Sequence, residues 1–573
     1  MKNRITLTLL LVLFLSFPML AANSKTAAKA ENTNTSVTQS SVKVPAPVAT
    51  WMDNELRKAK RKTLLTKEAF FTQDSARVVG YIAGYHAGLG FATVTLDATN
   101  NLTNEKRPLV SKIDSMGRFI CAIPMTNPSM ITISFGKESM ELYLEPGQTL
   151  AMSFDWKDCV RTNCFQDVKD ANQVLLLQGA LARLNYELKT FKLKILGYRH
   201  YWIIDSYSPQ AYLAAIDSIL VENKASVKEA VASGKYLKKT IEIQQNDALI
   251  ANSFYLLDYA ESKDKAEVKL PKSFYTMLQQ VPLNDPSCII SGNFSMFINR
   301  FEWCPVILKA NKIDRISNDT TVSLSWTERH LKTWERKDSL LKSDFKLSNN
   351  FCYEVTKIRA LSFELEGRQK SEAYDYFYKL QEGIKHPFLK QEGFRILTSR
   401  FGKESVTDKF TDGGLSVPGS TAKQPKWSPR SLPNGVDADI FKKLMARHKG
   451  KYVFVDFWGV SCGPCRSAIN GQKEIREQYA NNPDFDFVFI TCKDWSPDKK
   501  VYDNYVKEQG LKHSYMISND DFNYMMQLFR FNGVPHYVFI DPDGNVLDTD
   551  FFDLVSGIKW IQEIKNSKQA LAE

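Results

Sequence analysis

Two cysteines stand three positions apart in FWGVSCGPCRSAI, Phe457 to Ile469, with Gly463 and Pro464 between Cys462 and Cys465. Such a pair can be a structural staple, half of a metal site, or a redox dithiol. A zinc site takes about four ligands, commonly two C-x-x-C pairs or one pair plus histidines. Only one C-x-x-C is present, and the seven histidines show no H-x-x-H or H-E-x-x-H spacing. No metal is therefore expected. A ring closed over two intervening residues removes little unfolded-state entropy, which weakens the staple reading. Redox chemistry fits the context. The run VFVDFW reads as a strand and CRSAI as the start of a helix, with a short turn between them. Cys462 then falls at a helix N-terminus, where unpaired N–H groups and the helix dipole stabilise a thiolate. Pro464 suits the first helical turn, where its missing N–H costs nothing. Cys465 lies one turn further in, shielded and suited to resolving a mixed disulfide.

Further residues fit that chemistry. Asp456 lies in the apolar strand six positions before Cys462, and Gly533-Val534-Pro535 precedes the β-run HYVFID. Burial of such an aspartate would raise its pKa and let it accept a proton near neutral pH. Together, VDFWGVSCGPC, GVP and FIDPDG resemble the active site, cis-proline loop and following hairpin of the thioredoxin superfamily. The resemblance covers about Asn434 to Lys565, about a quarter of the chain. It implies Cys462, Cys465 and Asp456 as catalytic residues. It implies Trp458, Gly463, Pro464, Val534 and Pro535 as the substrate-binding surface, and no cofactor. A cis X-Pro bond would leave the preceding backbone free to pair with an extended substrate strand. Two features depart from the pattern. Ser461 stands where thioredoxins usually place Trp. A third cysteine, Cys492 in FVFITCKD, reads as a small core residue, with an alternative disulfide at the site as the sharper idea.

The elements that must carry this site are legible in outline. MKNRITLTLLLVLFLSFPMLAANS has a basic n-region, an apolar run from Ile5 to Leu20 and small residues at Ala21-Ala22, the pattern of a cleaved secretory leader over 1–22. Residues 23–50 are polar and small, a disordered tether. Residues 51–165 carry short β-runs with turns at Asp114-Ser115-Met116-Gly117 and Glu145-Pro146-Gly147-Gln148, which predicts a small β-sandwich. Residues 166–400 turn helical. Val174, Leu177, Leu181, Leu184 and Leu188 share one helical face, Ser208-Pro209 opens a helix, and AYDYFYKL is an aromatic patch that reads as core. Residues 401–433 are a Gly/Ser/Pro linker. From 434 to 573 strands and helices alternate, which predicts an α/β domain with a central sheet. The fold class is thus multi-domain α+β: a β-sandwich-like front, a helical middle and a thioredoxin-like end.

Net charge is +11, from 75 basic and 64 acidic residues, thinly spread. The one dense basic run, Leu56 to Lys67, lacks the aromatic interleaving of nucleic-acid binders and reads as solvated surface. Nine cysteines are sparse for an exported chain, and the odd number leaves at least one unpaired. Cys159 and Cys164 could bridge locally, but spacing alone does not decide it. The resemblance extends to secreted bacterial thiol:disulfide oxidoreductases of the TlpA kind. It implies a periplasmic enzyme that reduces disulfides in exported proteins and is recharged by a membrane electron donor. Central Gly-Pro resembles the reducing members. The alternatives are a binding or assembly module on a thioredoxin scaffold, an oxidase or isomerase, and a thiol peroxidase. The last would need a Thr- and Arg-supported pocket that is not legible around Cys462.

Overall fold

The computed structural model describes residues 42–165, 174–316, 324–365, 368–401, 427, 429–549, 551 and 554–572. The expected leader, most of the tether and most of the linker lie outside the described residues. Among the described residues, no helix is long and apolar enough to cross a membrane. The tether ends sooner than expected, because a helix already runs over Ala46–Arg57. Val48 and Met52, four apart and so on one face, bury against Val79, Tyr81 and Ala151. Glu55 of the same helix pairs with Arg77 at 2.5 Å.

Two four-stranded sheets follow. One has the order β4-β1-β7-β8, with β1 Asp74–Ala83, β4 Arg118–Met125, β7 Thr149–Asp155 and β8 Leu175–Gln178. The other has the order β3-β2-β5-β6, with β2 Thr93–Asp97, β3 Pro108–Lys112, β5 Ser129–Phe135 and β6 Glu138–Leu144. Side chains alternate across each strand, so Phe119, Cys121 and Ile123 of β4 and Ile131, Ile133 and Phe135 of β5 enter a common core. Both predicted turns form, with Gly117 and Gly147 each at φ +78°. Strand β1 lies parallel to β7 at the centre, and the Ala46–Arg57 helix covers their outer face. Gly80 is the flat seat that lets the Phe119 ring lie on β1, since a Cβ there would stand 1.8 Å from the ring.

The helical face read from Val174 to Leu188 is broken in two. Leu175–Gln178 is strand β8, antiparallel to β7, and a helix starts only at Ala182. Gly179 at φ +103° makes the break. A short apolar run fits either period, and the open edge of β7 supplied hydrogen-bond partners that decided for strand. The Tyr186 hydroxyl fixes the bend, accepting from the Leu177 N–H and donating to the Leu175 carbonyl, each at 2.7 Å. Ser208 caps the Pro209–Ser233 helix as expected, its hydroxyl accepting from the Ala211 N–H. The aromatic patch is core: Tyr374, Tyr376 and Phe377 are buried. Cys159 and Cys164 form a disulfide. The basic run is partly paired surface, with Lys58 on Glu55, Lys60 on Asp74 and Lys67 on Asp285.

The strand-rich and helical stretches share one continuous hydrophobic core from Phe70 to Leu397. Glu145, in the turn between β6 and β7, ties them together. Fully buried, it accepts hydrogen bonds from the Leu65 N–H, the Tyr143 hydroxyl and the Lys239 ammonium at 2.8, 2.7 and 2.6 Å. Lys239 belongs to the Lys238–Lys265 helix.

The C-terminal sheet has the order β11-β10-β9-β12-β13, with β9 Tyr452–Phe457, β10 Phe485–Cys492, β11 His513–Ile517, β12 His536–Ile540 and β13 Val546–Asp548. Strands β9, β10 and β11 are parallel, and β12 runs antiparallel to both β9 and β13. The hairpin expected at Asp543-Gly544 joins β12 to β13, with Gly544 at φ +87°. Helices cover both faces, as a sheet built of apolar strands requires. Phe441, Phe522, Met525 and Phe529 pack on one face, and Ile469, Tyr502, Tyr505, Ile558 and Ile561 on the other. At the end of the linker, Trp427 stacks edgewise on Phe539, Phe551 and Trp560, and Arg430 bridges Val546. The Asn519–Phe529 helix also docks on the front sheet. Asp520 accepts from the Ala92 N–H and Thr93 hydroxyl, Gln527 from the Val110 N–H of edge strand β3.

Removing one partner of a buried, hydrogen-bonded charge leaves the others unmet, at a cost of about 3–5 kcal/mol. Glu145→Ala is therefore expected to lower stability by that order, read as an earlier urea midpoint of the body's unfolding transition. An unchanged midpoint would show that Lys239 and Tyr143 find water instead.

Candidate functional site

Strand β9 alternates its side chains between the two faces. Val453, Val455 and Phe457 point to the Phe522 face, while Phe454, Asp456 and Trp458 point to the opposite one. The chain then turns through Gly459 to Ser461 and enters the dithiol helix, Gly463–Gly471. Gly459 is required by a close approach, because a Cβ there would stand 2.5 Å from the Trp495 carbonyl oxygen. Cys462 is the N-cap, and its Sγ accepts from the Cys465 N–H at 3.1 Å. Pro464 sits in the first turn, as the spacing predicts.

The two cysteines are bonded as a disulfide. Cys462 is half-buried and Cys465 is fully buried, so only the first sulfur meets solvent. Gly463 and Pro464 are exposed beside it. The Val534–Pro535 peptide is cis. The Val534 carbonyl oxygen lies 3.6 Å from Cys462 Sγ. Strand β12 begins only at His536, so the Val534 peptide stands outside the sheet ladder. The structure thus brings Cys462, Cys465, Gly463, Pro464, Val534 and Pro535 to one end of the sheet.

Trp458 does not join them at the surface. It is 0% exposed, lying over Tyr502 and Tyr505 at ring distances of 5.8 and 5.6 Å. The expectation that it meets a substrate is corrected: the strand's alternation turns its ring inward, where it wedges under the dithiol turn. Ser461 is exposed and leaves no aromatic shield over Cys462.

Asp456 is 6% exposed, and neither carboxyl oxygen has a hydrogen-bond partner among the described residues. Phe454, Phe487, Phe489 and Tyr537 surround a cavity of about 30 Å³ beside it. That is room for about one water. Desolvation pushes its pKa up to about 8, against a smaller opposing pull from Arg476. Arg476 went unnoticed in the sequence. It is buried, donates to the Ile469 and Gln509 carbonyls, and so ties the end of the dithiol helix to the Lys499–Glu508 helix. Only its position in the amphipathic stretch KEIREQYA could have hinted at this.

Cys492 is buried with Val488 and Ile490 on the Phe522 face, whereas Cys465 packs on the other face. Period-two alternation along β10 puts the sheet between them, which removes the alternative disulfide. Desolvation raises the Cys492 thiol to about 11. At the opposite end of the sheet, four dispersed residues meet. Asp486 accepts from His448 Nδ1 at 2.8 Å and from the Lys451 ammonium at 2.9 Å, with His513 Nε2 at 3.8 Å. Tyr515 holds the other nitrogen of His448. Lys451 already supplies the cation that this carboxylate needs.

Residues 450–546 match a family model described as Thioredoxin-like. The C-terminal region thus carries a thioredoxin-like domain. The thioredoxin-like domain is similar to the thiol-disulfide oxidoreductases ResA of Bacillus thuringiensis (strain Al Hakam) and Bacillus anthracis. Each is 28% identical over 121 residues, covering 21% of this chain. The matched stretch spans 66% of the length of each of these relatives. Among solved structures, a thiol:disulfide interchange protein of the thioredoxin family from Chlorobium tepidum TLS is 26% identical. That match covers 21% of this chain and 82% of that one, with a TM-score of 0.17.

In the thioredoxin-like domain the buried acid sets a pH signature. The folded-state pKa of Asp456 lies above its unfolded value, so its favourable contribution is complete below about pH 4 and is lost as pH rises through about 8. Asp456→Asn removes the titration. Its melting temperature is expected to match the parent's at pH 4 and to exceed it by several degrees at pH 9. Equal melting temperatures at both pH values would show that the carboxylate is solvated in the folded state.

Proposed function

We propose that the protein is an exported thiol:disulfide oxidoreductase that reduces disulfides in other exported proteins. The observation that carries this reading is the asymmetry of the dithiol. Cys462 stands at the open first turn of a helix, and Cys465 is sealed behind it. The neighbouring cis-proline loop holds the Val534 peptide beside Cys462 and outside the sheet ladder, where an extended target strand can approach it.

In the reduced form, the helix N-terminus stabilises the Cys462 thiolate. That thiolate attacks one sulfur of a target disulfide. A mixed disulfide forms, and the other target sulfur leaves as a thiolate that takes up a proton. Cys465 then loses its proton to the Asp456 carboxylate, with the small cavity offering a place for a relaying water. The Cys465 thiolate attacks Cys462 Sγ, the mixed disulfide breaks, and the target departs with two thiols. The enzyme keeps the Cys462–Cys465 disulfide and needs two electrons from a donor, which we assign to a membrane protein. Catalytic roles thus fall to Cys462, Cys465 and Asp456. Gly463, Pro464, Val534 and Pro535 form the contact surface.

The N-terminal leader pattern supports export, and the Gly-Pro dipeptide supports the reducing direction. The scale it tunes is wide, from about −270 mV for thioredoxin to about −120 mV for the oxidant DsbA.

The decisive measurement is the midpoint potential of the Cys462–Cys465 pair in graded thiol buffers, read by alkylation and mass spectrometry. A value near about −270 mV is expected. One near about −120 mV would make the protein an oxidase or isomerase. A pair that does not exchange would leave a binding module on a thioredoxin scaffold. In parallel, Cys465→Ser is expected to accumulate mixed disulfides with protein substrates such as insulin. Cys462→Ser should accumulate none, and its insulin reduction should fall at least about a hundredfold.

A further inference from the structure

Far from the dithiol, two more thiols meet inside the helical body. Cys288 lies in the short turn Pro286–Ile290, and Cys352 in the first turn of the Phe351–Glu364 helix. Their sulfurs are 3.6 Å apart, and both residues are 0% exposed. The backbone already holds the two segments together, since the Cys352 N–H donates to the Leu283 carbonyl at 3.0 Å. Asn350 caps the helix through the Tyr353 N–H, which fixes the direction in which Cys352 leaves the backbone. Five cysteines are free thiols, at 121, 288, 304, 352 and 492. Among the described residues, 288 and 352 are the two free thiols in sulfur–sulfur contact. Ordinary disulfide geometry needs the sulfurs at about 2.05 Å. The 3.6 Å separation leaves a gap of about 1.5 Å to close.

We propose that Cys288 and Cys352 are a disulfide site, and that the bond between them is a structural cross-link of the mature protein. The two thiols lose two protons and two electrons as the Sγ–Sγ bond forms. The electrons pass to an incoming protein or low-molecular-weight disulfide, which leaves as two thiols. Both sulfurs are sealed in the finished core, and burial there pushes the Cys352 thiol well above its ordinary range. The exchange therefore takes place before the Phe351–Glu364 helix closes over the turn. Afterwards the same burial keeps the bond out of reach of the Cys462 thiolate. The cross-link spans 64 positions of sequence. It restricts the unfolded chain more than the short Cys159–Cys164 ring does. With it, six of the nine cysteines are paired, and the buried singletons Cys121, Cys304 and Cys492 account for the odd number.

The test refolds the full chain in a glutathione buffer poised oxidising, blocks free thiols with iodoacetamide in denaturant, and maps tryptic peptides without reductant. Each cysteine lies alone in its peptide, Ser273–Arg300 for Cys288 and Leu347–Lys357 for Cys352. Those two peptides are expected as one cross-linked species that reductant separates. Recovery of the Cys159–Cys164 bond serves as the internal control. Because the buffer sets the oxidant, the outcome does not depend on export or on catalysis. Cys288 and Cys352 both recovered alkylated, or either one bonded elsewhere, would overturn the proposal.

Stability gives a second readout. Cys288→Ser and Cys352→Ser should each lower the melting temperature by several degrees, and the double variant should fall no further than either single one. Losses that add, and that persist in the presence of reductant, would mean that the two thiols only pack together. Insulin reduction should be unchanged in all three variants.

Discussion

Burial of β9 on both faces governs the geometry at the dithiol. A central strand covered by helices on both faces has no solvent side, so its period-two alternation sends every second residue into one of two helix layers. Phe454, Asp456 and Trp458 share one layer as a consequence. The strand's end then fixes where the dithiol turn begins, and Trp458 fills the space under it. A register slip of one residue would bury Val455 and Phe457 there and send the acid to the Phe522 face.

The same burial gives Asp456 its chemistry. A carboxyl group with no hydrogen-bond partner and four aromatic neighbours loses the solvation that stabilises its charge. Arg476 opposes this only in part, because its own hydrogen bonds go to backbone carbonyls. The acid is thus held near the range in which it can both give and take a proton. A direct ion pair would have fixed it as a permanent anion. The cost in stability is local and is borne by the packing around it.

The rest of the chain is bound to this domain by polar contacts along the Asn519–Phe529 helix. Gln527 and Asp520 satisfy N–H groups on the front sheet that would otherwise be open, including one on edge strand β3. Past the left-handed cap at Arg530 the chain runs through Phe531 and Asn532 into the cis-proline loop, and Asn532 donates to Asp97 at the end of β2. One short segment therefore touches both the front sheet and the dithiol. The front sheets and the helical middle form a single packed body through their shared core, with Glu145 satisfying donors from three separate stretches.

The local chemistry was legible in the residues themselves. Cys462, Gly463, Pro464 and Cys465 carry their own instructions, because a proline and an N-cap sulfur suit one turn of helix and little else. The turn glycines at 117, 147 and 544 and the Ser208 cap are local in the same way, each decided by the conformation of a few adjacent bonds. Asp456 was legible as an acid in an apolar strand, but not its lack of a partner. What the sequence could not decide was which face each side chain meets. The Leu175–Gln178 run became a strand because β7 had an open edge. Trp458 turned inward and Cys492 went to the far side of the sheet because of strand alternation within a two-sided layer. Arg476 and the His448–Asp486–His513 cluster were assembled from residues far apart in the chain. Bond-level conformation is written in neighbouring residues. Partnership across the core depends on elements distant in sequence, and only the folded packing brings those together.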